Sequence, residues 1–288
     1  KTTDGVRSGE SGHMLPLRDY MDALAWSEEY LRDAYQSQID ADLQLVSEGF
    51  LNRAESDILI RALTTTENAI GSGYDVPWAI GTGTNVNYIP PQGSQSTLFD
   101  STHTHFQYLA AAAPTKAWAN TLMKDLRHHG YSGRLVLLIS EADIDAWAAI
   151  SGFVALQPAG MQIVTTTASS GLQISTGEVD GMPGELFGYL NVNRGVAEVR
   201  YYERIPTGYC FLSKSFGANN PNNGLALRLH PTTPFGLAPA MEITNTLPAR
   251  MKSIQLQATH GVGVNKRLNG VAGYFASGAG AYVNPTIS

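Results

Sequence analysis

Cysteine is nearly absent from this chain of 288 residues: Cys210 is the only one. A single thiol excludes an internal disulfide framework and any multi-cysteine zinc site. Its setting, "GYCFL", is an apolar, strand-like run, so a buried structural thiol is expected rather than a nucleophile. Charge is scarce as well. Asp, Glu, Lys and Arg make up 15% of the residues, against about a quarter in an ordinary soluble domain. The net charge is −6, which leaves no basic patch strong enough for sequence-specific nucleic-acid binding. No run of roughly eighteen apolar residues occurs, so no membrane-spanning helix is expected. No charged-then-apolar leader is visible, and the first residue is Lys1, which reads as a trimmed or processed start.

The usual catalytic signatures are also missing. There is no G-x-S-x-G elbow, no G-x-x-x-x-G-K-[ST] phosphate loop and no G-x-G-x-x-G at a strand-to-helix joint. The stretch "STHTHF" (101–106) is the nearest thing to a metal motif. On a strand, His103 and His105 share a face, since the period is two. An amidohydrolase barrel opening on such a motif needs a late aspartate, and no Asp follows Asp180. Regular strand–helix alternation is missing too. These mismatches set a metal-dependent hydrolase reading of His103 and His105 below a structural one. No catalytic residue, cofactor or metal is expected.

Hydrophobic residues make up 43% of the chain, enough for one large core or two small ones. Residues 16–63 read as helical, with Leu17, Met21, Leu24, Leu31, Tyr35, Ile39, Leu43, Val46 and Phe50 mostly three or four apart and Pro16 at a first helical position. Residues 64–104 change character, with Glu67, Asp75 and Asp100 as their only charges and aromatics at Tyr74, Trp78 and Tyr88. So long a stretch without helical pattern suggests a projecting two-stranded excursion that needs a partner surface. A second helix follows, opened by Pro114, closed by Gly130 and striped by Trp118, Leu122 and Leu126. Leu135–Ile139 reads as a buried strand, and Ser140 as the cap of a short helix bearing Glu141 and Asp143. Beyond residue 152 strand patterns dominate: "MQIVTTT", "GLQIST", "VAEVRYYERI" and "YCFLSKSF". "GANNPNNG" (217–224), with Asn219, Asn220, Pro221 and Asn222, is a dense turn cluster. A charge-poor surface and a partnerless excursion both point to oligomerisation.

Taken in order, "FDSTHTHF", "LMKDLRHHGYSGRLVLLISEADIDAW", "GYLNVNRGVAEVRYYERIPTGYCFL" and "HGVGVNKRLNGVAGYFASGAGAYVNPTI" resemble the major capsid proteins of tailed bacteriophages. The resemblance spans nearly the whole chain, and the "I-P-x-G-Y" segment is here Ile205 to Tyr209. It implies an α+β chain of the Hong Kong 97 type, shared also by encapsulins. The expected parts are a helical N-terminal arm (1–63), an E-loop β-hairpin (64–104), a peripheral domain with a spine helix (105–151), an axial domain (152–245) and closing peripheral strands (246–288). It implies a non-enzymatic shell subunit that forms pentamers and hexamers around double-stranded DNA, meeting portal, scaffold and decoration proteins but no membrane. The virion capsid, assembled in the host cytoplasm, is the implied location. Tyr74, Trp78, Tyr88 and Ile89 would form the E-loop's subunit interface. His103 and His105 would anchor the joint between loop and spine helix, and Asn219–Asn222 would form an axial-domain turn. An encapsulin shell is the alternative. Some members crosslink a Lys on the E-loop to an Asn on a neighbour, but no Lys lies between Lys1 and Lys116. Assembled particles boiled in detergent are therefore expected to run as single chains; a ladder of covalent multimers on the gel would refute this.

Overall fold

In the computed structural model the described residues are 15, 17–67, 69–70, 75–80, 104–155, 184–218, 220–230, 240–244 and 251–287. The chain divides into two compact units. Unit 1 comprises Lys1–Pro77, Leu225–Asn265 and Ile287–Ser288; unit 2 comprises Trp78–Gly224 and Lys266–Thr286.

Unit 1 corrects the helical reading of the first sixty residues. Arg18–Ser27 is a strand, β1, and helix begins only at α1 (Glu28–Asp33) and α2 (Gln36–Leu63). β1 pairs antiparallel along its whole length with β10 (Met251–Val264), from Arg18 opposite His260 to Ser27 opposite Met251. Two periods coexist in this stretch, and the strand period wins. Arg18, Tyr20, Leu24 and Trp26 turn inward, while Met21, part of the helical stripe, is 72% exposed. Ser27 ends the strand by accepting the Tyr30 N–H at 3.1 Å, which caps α1. From there the periodicity holds. Leu43, Val46 and Phe50 of α2 pack with Tyr20, Leu24, Ile254, Leu256 and Ala258 of the sheet. β10 also pairs with β8 (Leu225–Leu229) and β9 (Ala240–Thr244), giving four strands. Pro16 lies outside the described residues.

Unit 2 is a seven-stranded mixed sheet. Its strands are β2 (Phe106–Ala110), β3 (Leu135–Ser140), β4 (Phe153–Ala155), β5 (Glu185–Val192), β6 (Gly195–Tyr202), β7 (Tyr209–Lys214) and β11 (Val271–Ala276). They lie in the order β2-β11-β7-β3-β6-β5-β4. β3 sits centrally, parallel to β6 and antiparallel to β7. A strand covered on both faces must be apolar throughout, which explains "LVLLI". Helix α3 (Lys116–His128) starts where Thr115 accepts the Trp118 N–H at 3.2 Å, and the chain leaves it through Gly130 at φ 82°. Its stripe Trp118, Leu122 and Leu126 is buried in the unit's core with Cys210 and Trp147. Ser140 does not cap as expected: its side chain makes no capping bond, and Glu141–Asp143 forms a 3-10 turn before α4 (Ile144–Ala148).

The expected domain boundaries also move. Residues 105–151 and 152–245 are not separate, because β3 is flanked by β6 and β7 within one sheet. The closing stretch 246–288 is divided instead, with β10 in unit 1 and β11 in unit 2. The long helix of the chain is α2, 28 residues, whereas α3 has 13.

Trp78 is a further correction. It was expected at a subunit interface, yet it is 0% exposed within its own chain. Its ring stacks on Phe211 at 5.2 Å between centroids. Gly224 and Gly270 make room for it: a Cβ on Gly270 would come within 2.6 Å of the indole, and one on Gly224 within 3.1 Å. An indole this well enclosed belongs to the core, since it buries more apolar surface there than any projecting loop could cover. Tyr74, Tyr88 and Ile89 lie outside the described residues. Trp78→Ala is expected to destabilise unit 2 by about 3–5 kcal/mol, measured as a lowered urea midpoint; an unchanged midpoint would refute the packing.

Candidate functional site

Residues on either side of 81–103 are tied together in unit 2. The His105 N–H donates to the Ala79 carbonyl at 2.9 Å, and the Ala79 N–H donates to the Arg267 carbonyl at 3.2 Å. Ala79 and His105 therefore meet at one neck. His105 is fully buried there. Its Nδ1 lies 2.7 Å from the Gly270 carbonyl oxygen. A carbonyl only accepts, so Nδ1 must carry the proton. The His105 carbonyl accepts from the Ala272 N–H at 2.8 Å. The ring centroid of His129 lies 5.1 Å from that of His105, with His128 next to His129. Thus His105 is a packing and hydrogen-bonding anchor. His103 lies outside the described residues, as does Asn219.

The neck includes a carboxyl that the sequence reading missed. Gln107 donates from Nε2 to the Thr104 carbonyl at 2.8 Å and to Asp125 Oδ2 at 2.7 Å. Asp125 is buried on α3, and burial pushes its carboxyl up to about 6, against the opposing pull of Gln107, Lys124 and His128. The signal available was an acid beside Leu122 and Leu126 on the apolar stripe.

The other turns are held by equally specific bonds. In "IPTGY" the Tyr209 N–H donates to the Pro206 carbonyl at 3.1 Å, with Gly208 at φ 82°. That is a turn requiring a positive φ at its third residue, hence glycine. The Gly208 N–H donates to Asp143 Oδ2 at 2.6 Å, and burial raises the Asp143 pKa. Of the expected asparagine turn, Asn220 accepts from the Asn222 N–H through Oδ1 at 2.9 Å and donates to the Phe216 carbonyl at 3.3 Å; Pro221 stands between them. The Asn222 carbonyl accepts from Asn269, whose amide also bonds both backbone groups of Lys214. The turn is thus part of unit 2's framework rather than a free tip.

In unit 1, Asp57 of α2 accepts from Tyr20 Oη at 2.6 Å and faces His260 Nε2 at 3.4 Å and Arg53 Nε at 3.4 Å. Burial raises the Asp57 carboxyl, but His260, Tyr20 and Arg53 outweigh it and hold the pKa below the ordinary value. Arg61 and Asp75 form a fully buried pair, and Arg61 also donates to the Thr64 and Thr66 carbonyls. Three further arginines are engaged locally: Arg18 with the Ile70 carbonyl, Arg32 with Asp33 and Arg53 with Asp57.

Among the described residues no group of three or more His, Cys, Asp or Glu is arranged to hold a metal ion. Burial pushes the Cys210 thiol far up, so it is a protonated core group rather than a nucleophile. What these residues do is fix necks and turns.

The sequence matches no family model and no curated protein. Solved structures do match. One from Mycobacterium phage Patience aligns over 99% of this chain and 79% of its own, with 22% identity and a TM-score of 0.66. The holo-SrpI encapsulin complex from Synechococcus elongatus PCC 7942 aligns over 90% of this chain and 73% of its own, with 12% identity and a TM-score of 0.51. The chain has the Hong Kong 97 fold. The expected α+β class stands, although its internal boundaries do not. Within the Hong Kong 97 fold, the Asp125 neck offers a measurable pH signature. Its pKa of about 6 against an ordinary 3.8 means the folded chain prefers the protonated acid. The contribution of Asp125 to stability should be fullest below about pH 4 and fall as pH rises through about 6, by on the order of 3 kcal/mol at 1.4 kcal/mol per unit. Asp125→Asn should therefore raise the denaturation midpoint at pH 8 and leave it unchanged at pH 3.5; the same shift at both would refute the assignment.

Proposed function

We propose that the chain is the major capsid protein of a tailed bacteriophage, assembling as pentamers and hexamers into an icosahedral shell around double-stranded DNA. The observation that carries this is the order of parts. After β1 and α1 comes a 28-residue helix on the unit 1 sheet, then unit 2, then β8, β9 and β10, which return to the helix-bearing sheet before β11 joins that of unit 2. That is the family's order of spine helix, axial domain and returning peripheral strands. In this mapping α2 is the spine helix, unit 1 the peripheral domain and unit 2 the axial domain. The E-loop's place in the order then falls ahead of α1, and residues 81–103 follow the spine helix instead of preceding it. The alignment with the phage structure over nearly the whole chain supports the same reading.

The function is structural, and no catalytic role is assigned. DNA would be enclosed without sequence readout, consistent with a net charge of −6. Portal, scaffold and decoration proteins would be further partners, with the virion capsid as location and host cytoplasm as assembly site. An encapsulin shell is the second reading, favoured by the likeness to the SrpI complex. Purified assemblies should appear as closed icosahedral particles in negative stain, holding nuclease-protected DNA when taken from phage. Protein cargo without DNA would favour the encapsulin reading, and absence of closed particles would overturn both.

A further inference from the structure

Residues 277–286 follow β11 in unit 2 without joining either sheet. Most of them are exposed: 277–281, 283, 284 and 286 face solvent. The exception that matters is Tyr282. Its ring meets Phe106 edge-on at 5.1 Å, Tyr209 at 6.1 Å and Tyr274 at 6.3 Å. Tyr209 and Tyr274 stack on each other at 4.4 Å and form one wall of the slot. The backbone beside the ring is held from both sides. Tyr209 Oη donates to the Val283 carbonyl at 2.8 Å, and Tyr108 Oη donates to the Gly278 carbonyl at 2.7 Å. Gly280 lets the strap pass close to Tyr108, whose hydroxyl would lie 3.2 Å from a Cβ there.

This is the chemistry of a peptide-binding site whose present occupant is the chain itself. One aromatic plug enters a slot of aromatic walls, and two phenols read carbonyls that any extended peptide presents. The burial that encloses the plug also raises the Tyr282 pKa well above its ordinary value. We propose that the slot formed by Phe106, Tyr209 and Tyr274, with Tyr108 beside it, is an exchangeable docking site that takes residues 277–286 of a second copy. The contacts in trans are those seen in cis, so exchange costs no interaction; that equality makes swapping a low-cost route to linked subunits. The irregular strap suits exchange because it withdraws without breaking a strand ladder. The role of such links in a shell rests on the capsid reading, whereas the slot itself does not.

The test uses full-length chains. A fluorescent peptide with the sequence of residues 277–287 is titrated into the Tyr282→Ala chain, whose slot is vacated. Saturable binding is expected. A peptide carrying Tyr282→Ala should bind at least about tenfold more weakly, the loss of roughly 1.4 kcal/mol or more that a buried ring supplies. Equal binding of both peptides, or none, overturns the slot. In a second arm the Tyr282→Ala chain, with slot intact, is mixed with a Tyr274→Ala chain, with strap intact. One-to-one association by native mass spectrometry, reduced by excess unlabelled peptide, is expected. Chains that fold by circular dichroism yet stay apart, or associate with no effect of peptide, overturn exchange between copies while leaving peptide binding as a separate result. Particle formation by the unmodified chain is scored independently, so failure of the capsid reading is distinguishable.

Discussion

The enclosure of Trp78 is the constraint on which the rest of unit 2 depends. The chain passes between its two units at 77–78, 224–225, 265–266 and 286–287. On the unit 2 side, the first three of these passages meet around this one indole. Gly224 and Gly270 touch it, the Lys266 N–H donates to the Gly224 carbonyl at 3.2 Å, and Ala79 bonds the Arg267 carbonyl. His105 then closes on both Ala79 and Gly270. Neither glycine could carry a Cβ without displacing the ring or nearby backbone. Three segments far apart in sequence are thus fixed by the volume of a single side chain, and close packing leaves little freedom to vary any one of them.

A chain poor in charge must hold its turns by other means, and here amides and carbonyls do the work that ion pairs do elsewhere. Asn269 bonds both backbone groups of Lys214 and the Asn222 carbonyl, in the manner of an extra strand residue. Asp143 holds the Gly208 N–H, and Gln107 spans Thr104 and Asp125. Each leaves a polar group buried and satisfied, the condition under which burial of such groups is tolerable. Where charge is buried in unit 1, at Arg61 with Asp75 and at Asp57, several partners converge on it. Removing one partner would leave an uncompensated ion, which is the costly case.

How far the sequence could be read follows from the range of each interaction. Helix α3 was legible because its signals are local: Pro114, the stripe of Trp118, Leu122 and Leu126, and Gly130. β3 was legible because a centrally buried strand is apolar at every position. β1 was not, because Leu17, Met21 and Leu24 satisfy a helical spacing while Tyr20, Leu24 and Trp26 satisfy an alternating one. What decides between them is a ten-residue pairing with β10, more than two hundred residues away in the chain. Trp78 misled for the same reason. Its neighbours in sequence, Val76, Pro77, Ala79 and Ile80, carry no sign of what it packs on, and its true neighbours, Gly224, Gly270 and Phe211, are remote. Asp125 was not legible, because its partner Gln107 lies eighteen residues away on β2.

The parts of the fold were recognisable before their arrangement was, and that difference has a physical source. Order along the chain was inferred by hanging the spine helix on the first helix after "STHTHF". Length and packing point elsewhere. The proposed mapping takes α2 as the spine, whose 28 residues at about 1.5 Å each give roughly 42 Å, against about 20 Å for the 13 residues of α3. Among the described helices α2 is the longest, and its residues Leu43, Val46 and Phe50 pack on the sheet built around β10. The outward side of unit 1 keeps Tyr35, Leu45 and Met21 largely exposed. Scattered apolar groups are ordinary on any surface. Here they stand among charges, Met21 beside Asp22, Tyr35 close to Arg32 and Asp33, and Leu45 between Asp42 and Glu48, so the scarce charge of the chain is concentrated where unit 1 meets solvent.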